Sequence, residues 1–268
     1  MSWHVCLAGA TGWAGAELAR SVAVQPDLAL TAAVSRTWSG RTLGAALGIE
    51  GLQTPVVASV DEALAGPCDV FVEYTGSADA KDHVLSALRC GAHVVVGTSG
   101  LTDQDYEEID KTARRVGRGV LACGNFALSA VMLLKCAELI ARHLPDWEIV
   151  EYASNRKIDV PSGTVRELAM RLGSRPRNAA IPVQRMVGER QARGALLHGS
   201  PVHAVRLPGF SLGVDVIFGG DDETIVIRQN GGGSARPYVG GALIAIRRVP
   251  FLVGVHRGLD RVLDLAPA

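Results

Sequence analysis

Several things are scarce in this sequence, and each absence removes a class of function. There is no excess of one charge: 27 basic residues stand against 27 acidic ones, so the formal net charge is zero. Such a chain offers a nucleic acid or an anionic membrane no electrostatic attraction, and neither is expected as a partner. No apolar run approaches the roughly 18 residues that span a bilayer. Met1 to Val5 is not a basic segment leading into an apolar one, so no secretory leader is expected. Cysteine is sparse. Cys6, Cys68, Cys90, Cys123 and Cys136 are scattered, odd in number, and form no C-x-x-C pair. That pattern supports neither a structural zinc site nor a disulfide framework, and it fits a reducing, cytoplasmic setting. The histidines show no metal-ligand or triad spacing, so no metal is expected either.

What is present suits a protein that handles small molecules. An apolar fraction of 48% in 268 residues suffices for one large domain or two modest ones. In the first half, short apolar runs alternate with helical patterns. Trp3 to Ala8, Leu28 to Val34, Cys68 to Glu73, Val94 to Val96 and Gly119 to Ala122 read as buried strands. Ala14 to Val24, Ala80 to Cys90 and Asp103 to Val116 read as helices between them. This alternation predicts an α/β fold with a doubly wound parallel sheet. After Asn125 the pattern changes. Helices are expected at Ala130 to His143 and Ser162 to Arg171, and strands at Glu148 to Ala153, Pro201 to Val205, Gly213 to Phe218 and Thr224 to Arg228. Strands in succession predict an α+β region with a mixed sheet, and Gly240 to Arg248 returns to helix.

The turn after the first strand reads Gly9-Ala10-Thr11-Gly12-Trp13-Ala14-Gly15. A glycine turn between an apolar strand and a helix is the setting of a dinucleotide site. Gly9 permits the tight turn, Gly12 lets the backbone approach a pyrophosphate, and the helix end offers unpaired N–H groups. A glycine-rich turn without ligand is the alternative. At the end of the second strand an NAD site usually carries Asp or Glu. Here Ser35-Arg36-Thr37 stands instead, with Arg41 nearby, so a 2′-phosphate and hence NADPH is expected, with NADH possible in its place. A solvated loop arginine is the alternative.

The stretch Lys157-Ile158-Asp159-Val160-Pro161-Ser162-Gly163-Thr164 places hydroxyls and N–H groups at a helix start, just after two cations. It reads equally as a carboxylate site and as an ordinary helix capped by Ser162. It closely resembles the K-x-D-x-P-S-G-T signature of the dihydrodipicolinate reductase (4-hydroxy-tetrahydrodipicolinate reductase) family. Further stretches resemble that family in order along essentially the whole chain: Gly97-Thr98-Ser99-Gly100, Gly124-Asn125-Phe126, His203 to Gly209, Val216 to Gly220 and Gly240 to Leu243.

The resemblance implies a Rossmann-type domain at 1–127 and 240–268, and a substrate-binding and oligomerisation domain at 128–239, with a homo-oligomer, a tetramer or dimer, as the assembly. It implies that Gly97, Thr98, Ser99, Asn125 and Phe126 line the nicotinamide end, with Gly124 in the same cofactor turn. Thr75 and Gly76, after the 68–73 strand, join Gly9, Ala10, Thr11, Gly12, Trp13, Ser35, Arg36 and Thr37 as cofactor contacts. Ser154, Lys157, Ser162, Gly163 and Thr164 are the expected holders of a small carboxylate substrate.

The departures are equally informative. The family carries a His-His pair where this chain has Ala153 and Ser154, and its late strand leads into an R-H-D-S-like run where this chain has Arg228-Gln229-Asn230-Gly231. Trp13 replaces a frequent arginine. Alanine cannot donate a proton, and serine is a poor acid at neutral pH. Lys157 is then the best remaining candidate for the catalytic acid, with Tyr152 or water as alternatives. The expected activity is direct hydride transfer from NADPH to a small carboxylated cyclic imine, enamine or conjugated alkene, with specificity altered from the family's. The alternatives are a genuine 4-hydroxy-tetrahydrodipicolinate reductase and an inactive NADPH-binding homologue. A semialdehyde-type dehydrogenase would need Cys123 as nucleophile.

Overall fold

The run from Trp3 makes a strand whose last four residues, Val5 to Ala8, are buried, so both faces are covered there as a central parallel strand requires. The computed structural model describes residues 2–178 and 181–263. In chain order the first unit contains β1 (Trp3–Ala8), α1 (Trp13–Val22), β2 (Leu28–Val34), α2 (Leu43–Leu47), β3 (Val56–Val57), α3 (Val60–Leu64), β4 (Val70–Glu73), α4 (Ser77–Arg89), β5 (His93–Val96), α5 (Asp103–Val116) and β6 (Gly119–Ala122). The second holds α6 (Leu128–Ile140), β7 (Asp146–Ala153), α7 (Gly163–Gly173), β8 (Ala195–Leu197), β9 (Ser200–Arg206), β10 (Leu212–Gly219) and β11 (Thr224–Gly231). The chain then returns to the first unit with α8 (Arg236–Arg248) and β12 (Gly254–Arg257).

The two units comprise Met1–Leu128 with Ala235–Ala268, and Ser129–Ser234. The last helix opens at Arg236 rather than Gly240, because Pro237 in its first turn has the fixed φ that suits a helix start. Residues 235–239 therefore travel with the first unit. Residues 264–268 of the expected first domain lie outside the described residues.

The seven strands of the first sheet are all parallel, in the order β12-β6-β5-β4-β1-β2-β3. The order reverses between β1 and β4, and such a switch point opens a ligand crevice at the carboxyl ends of the strands. Gly9, Tyr74 and Gly97 follow directly on β1, β4 and β5. The core is Val, Ala and Leu around Phe71, with Val84, Leu88 and Ile109 from the covering helices. Three short elements between β2 and β4, and β12 at the sheet edge, carry no periodic signal of their own. Two are five-residue helices started by Thr42 and Ser59, whose hydroxyls accept from the third residue beyond.

The second sheet runs β11-β10-β7-β9-β8, with β7 and β9 parallel and the other pairs antiparallel. On β7, Trp147, Ile149, Glu151 and Ala153 are buried while the residues between them are partly exposed. Ile149 and Trp147 pack with Leu133 and Leu134 of α6, Leu168 and Leu172 of α7, and Phe218 of β10. Glu151 is thus an acid on the apolar face of its strand. Among the described residues no helix is long and apolar enough to cross a membrane.

Candidate active site

The glycine turn has the geometry a dinucleotide requires. Gly9 adopts φ +77, and a Cβ there would lie 2.3 Å from the Tyr74 carbonyl oxygen, so only glycine keeps β1 and β4 this close. The Gly9 carbonyl accepts from Gly12 N–H, and Gly12 caps α1 without any side-chain hydrogen bond. The first turn of α1 carries no acid, so its amide groups and positive dipole end are left for an anion.

Two cavities flank the carboxyl end of β4. One, of about 380 Å³, is lined by Trp13, Thr75, Gly76, Gly97, Thr98, Ser99, Gly124, Asn125 and Phe126, all expected from sequence. Tyr74, Cys123 and Tyr238 also line it, and sequence reasoning did not place the two tyrosines there. Tyr238 comes from the start of α8, and its ring meets Trp13 edge-on at 5.7 Å. A Cβ on Gly97 would sit 2.2 Å from the Tyr74 ring, which explains glycine at that position. The Tyr74 hydroxyl is buried with no hydrogen-bond partner among the described residues, and burial pushes its acidity well below that of an ordinary phenol. Asn125 Oδ1 accepts from Ala127 N–H at 2.8 Å, fixing its amide.

The second cavity, about 700 Å³, is lined by Gly9, Gly12, Ser35, Arg36, Thr75, Gly76 and His83 among others. Ser35 Oγ lies 2.8 Å from Thr11 Oγ1 and 3.3 Å from Thr37 Oγ1, so the three expected hydroxyls form one chain. Arg36 is exposed at the rim. Arg41 is placed elsewhere: its guanidinium lies 5.3 Å from the Trp38 ring and lines a separate hollow, so it does not join Arg36. Ala10 is fully buried and lines neither cavity. The residues of the first unit fit a dinucleotide: open helix amides, glycines at the close approaches, and a hydroxyl-guanidinium rim.

In the second unit the expected carboxylate turn is built around Glu151. Its carboxyl group has no solvent exposure. Oε1 accepts from Ser162 N–H at 2.8 Å, and Oε2 pairs with Arg206 Nη2 at 2.6 Å. Arg206 Nη2 also donates to the Asp159 carbonyl at 2.9 Å. The turn from 157 to 164 is therefore tied at two points, Asp159 and Ser162, to one buried ion pair. Ser162 caps α7 by accepting from Val165 N–H, and Gly163 has open space around its missing Cβ. Lys157 Nζ lies 2.5 Å from Asp159 Oδ1, and that contact holds the Asp159 carboxyl below its usual range. An ammonium has three donors, so Asp159 leaves Lys157 capacity for a second anion.

The other acid candidates are turned to different tasks. Ala153 has no exposure. Ser154 Oγ accepts from Arg156 N–H within its own turn. Tyr152 lies on the opposite face of β7 from Glu151 and Ala153. Its hydroxyl donates to Asp215 Oδ2 at 3.1 Å, and burial, then Asp215, raises its pKa. Gln229, at the family's late histidine run, is buried and donates to Ser129 Oγ at 3.2 Å. His203 pairs with Glu148 at 2.7 Å, a structural contact. Glu151 and Arg206 carried a signal that sequence reasoning passed over: an acid at the inward parity of a strand, in need of a cation.

Comparison with known families and structures agrees along the whole chain. Residues 3–126 match the family model "Dihydrodipicolinate reductase, N-terminus", and residues 129–263 match "Dihydrodipicolinate reductase, C-terminus". The 4-hydroxy-tetrahydrodipicolinate reductase of Geobacillus kaustophilus is 32% identical over 98% of this chain and 100% of that protein. That of Thermosynechococcus vestitus is 33% identical over 97% and 96%. A dipicolinate-bound dihydrodipicolinate reductase from Paenisporosarcina sp. TG-14 has a TM-score of 0.87 and 27% identity, covering 98% of this chain and 100% of that one. An amine dehydrogenase from Mycobacterium smegmatis, at 15% identity and TM-score 0.69, shares the fold. The chain belongs to the dihydrodipicolinate reductase family and is an oxidoreductase of that type.

Proposed function

We propose that this protein reduces 4-hydroxy-tetrahydrodipicolinate with NADPH, or less well with NADH. The observation that carries this reading is the turn Lys157 to Thr164, retained whole and braced by Glu151 and Arg206. The full-length relationship to enzymes of that name supports the substrate. The ligand named for the Paenisporosarcina relative, dipicolinate, supports a small ring carrying carboxylates. Bound NAD(P)H supplies the hydride. Gly12 and the first turn of α1 would hold the pyrophosphate, Ser35 and Arg36 the 2′-phosphate, and Thr98, Ser99 and Asn125 the nicotinamide end. Lys157 and the first turn of α7 would neutralise a substrate carboxylate. Lys157, next to Asp159, is also our choice for the group that delivers the one proton taken up with the hydride.

A second reading has one observation in its favour. Ala153, Ser154 and Gln229 stand where the family's histidines are expected, and none of them is an acid. A positioned general acid contributes about 10²–10⁴ in rate, so its loss favours a related imine or enamine acid that needs less help. The decisive experiment follows NADPH absorbance with purified protein and 4-hydroxy-tetrahydrodipicolinate. Rapid turnover supports the first reading. Turnover only with other cyclic imine acids supports the second, and cofactor binding without turnover on any of them refutes both. The family resemblance also carries a homo-oligomer. Exposed Leu196 and Val226, on the sheet face of the second unit turned away from α7, support it, and sedimentation velocity tests it.

A further inference from the structure

Glu73 ends β4, directly after the apolar residues Val70 to Val72, yet its side chain has no solvent exposure. A carboxyl group so placed must be matched by donors. Its Oε1 accepts from Thr75 N–H at 2.7 Å, and the Thr75 and Thr98 hydroxyls point to the same oxygen. Its Oε2 faces His83 Nδ1 at 2.8 Å. Among the described residues no lysine or arginine pairs with it.

The donors belong to three different segments. Thr75 lies in the turn after β4, Thr98 in the turn after β5, and His83 on α4. Both threonines line the 380 Å³ cavity, while Thr75 and His83 line the 700 Å³ one. The Thr98 hydroxyl also reaches the Thr75 carbonyl at 3.1 Å, which joins the two turns directly. One buried carboxyl group therefore sets the spacing of the turns between the two cavities, and one imidazole holds that group from behind.

We propose that Glu73 and His83 are positioning residues for the dinucleotide, holding the Thr75 and Thr98 turns in the shape that receives it. The proposal rests on the cofactor reading of the first unit. It has a pH signature. The hydrogen bond that His83 donates to Glu73 holds the imidazole above its usual range, with Asp79 and Asp82 of its own helix adding to the effect. The other charged groups near this face are Asp61 of α3 and Arg36, which line the same cavity. Lys81 is turned to Asp105 and Glu108 of α5, and His93 sits at the far end of β5. Because the pKa of His83 is raised, the imidazolium form grips Glu73 at low pH. The grip weakens as pH rises through the raised value.

The test measures NADH affinity by protein fluorescence from about pH 6 to about pH 9. NADH is chosen because its pyrophosphate does not titrate there, unlike the 2′-phosphate of NADPH. A charge-assisted hydrogen bond is about twice as strong as a neutral one, so wild-type affinity should fall about fivefold across the range. His83→Asn offers an amide N–H where the imidazole Nδ1 lies but cannot titrate, and its affinity should stay flat within about twofold. Glu73→Gln should lose about tenfold at the acid end and also flatten the profile. Neither change should alter the substrate KM at saturating cofactor. A wild-type slope in His83→Asn, or wild-type affinity in Glu73→Gln, overturns the proposal, and if Glu73→Gln fails to fold, His83→Asn alone decides. A wild-type protein that binds neither NADH nor NADPH overturns the cofactor reading as well, so the two failures are distinct.

Discussion

Replacing Glu151 with glutamine should loosen the turn from 157 to 164 while leaving the rest of the second unit in place. The side chains have the same size, and Oε1 can still accept from Ser162 N–H, now 2.8 Å away. What is lost is the negative charge opposite Arg206 Nη2, at 2.6 Å, with Glu151 unexposed and Arg206 only 17% exposed. A hydrogen bond to a charged partner contributes ~1.5–3 kcal/mol and a neutral one ~0.5–1.5 kcal/mol. The arginine also loses its buried counter-charge, which adds to the cost. A net local penalty of about 2 kcal/mol follows, or roughly a 30-fold rise in opening of the turn. Glu151→Ala strands the Ser162 N–H as well, adding ~1–3 kcal/mol. Hydrogen–deuterium exchange of the peptide covering 157–165 reads this directly. The glutamine variant should exchange about 30-fold faster there, raise the substrate KM, and leave NADH affinity unchanged. Glu151→Gln combined with Arg206→Met, which removes both charges, should recover part of the loss. Exchange within twofold of wild type, or an acceleration spread evenly over the second unit, would refute the reasoning.

Three further outcomes are expected. Arg36→Ala should weaken NADPH binding by about 10–100-fold and NADH binding by less than threefold, because in the proposed site only the 2′-phosphate would meet the guanidinium; calorimetric titration with both cofactors checks it. Gly97→Ala drives a methyl group against the Tyr74 ring, costing about 1–3 kcal/mol by overpacking and lowering dinucleotide affinity. Urea unfolding and the same titration measure these, and unchanged affinity would show that Tyr74 moves aside freely. The third concerns acid. The Arg228 guanidinium holds the Asp215 carboxyl below its usual range, so this pair stabilises the second unit above the ordinary carboxylate pKa of about 3.9. That stability is lost as pH falls through the depressed value. The urea midpoints of wild type and Arg228→Met should therefore differ near neutrality, begin to converge below about pH 4 and meet once pH has passed the depressed value. A gap independent of pH would count against it.

Local chemistry settled much of this protein. The strand at Trp3–Ala8, the helix at Asp103–Val116 and the glycine turn at Gly9 are legible because period, caps and φ preferences act over a few residues. The motif from Lys157 to Thr164 is legible for the same reason: its hydroxyls and its cap are neighbours in sequence. Local spacing could not show what those segments lean on. β12 completes the parallel sheet against β6, although its four residues carry no pattern strong enough to stand alone. Glu151 finds Arg206 across 55 positions, and Glu73 finds Thr98 across 25. Tyr238 reaches the 380 Å³ cavity only because α8 returns to the first unit. A buried charge is tolerable only beside its partner, and which residues become partners depends on strand order and register.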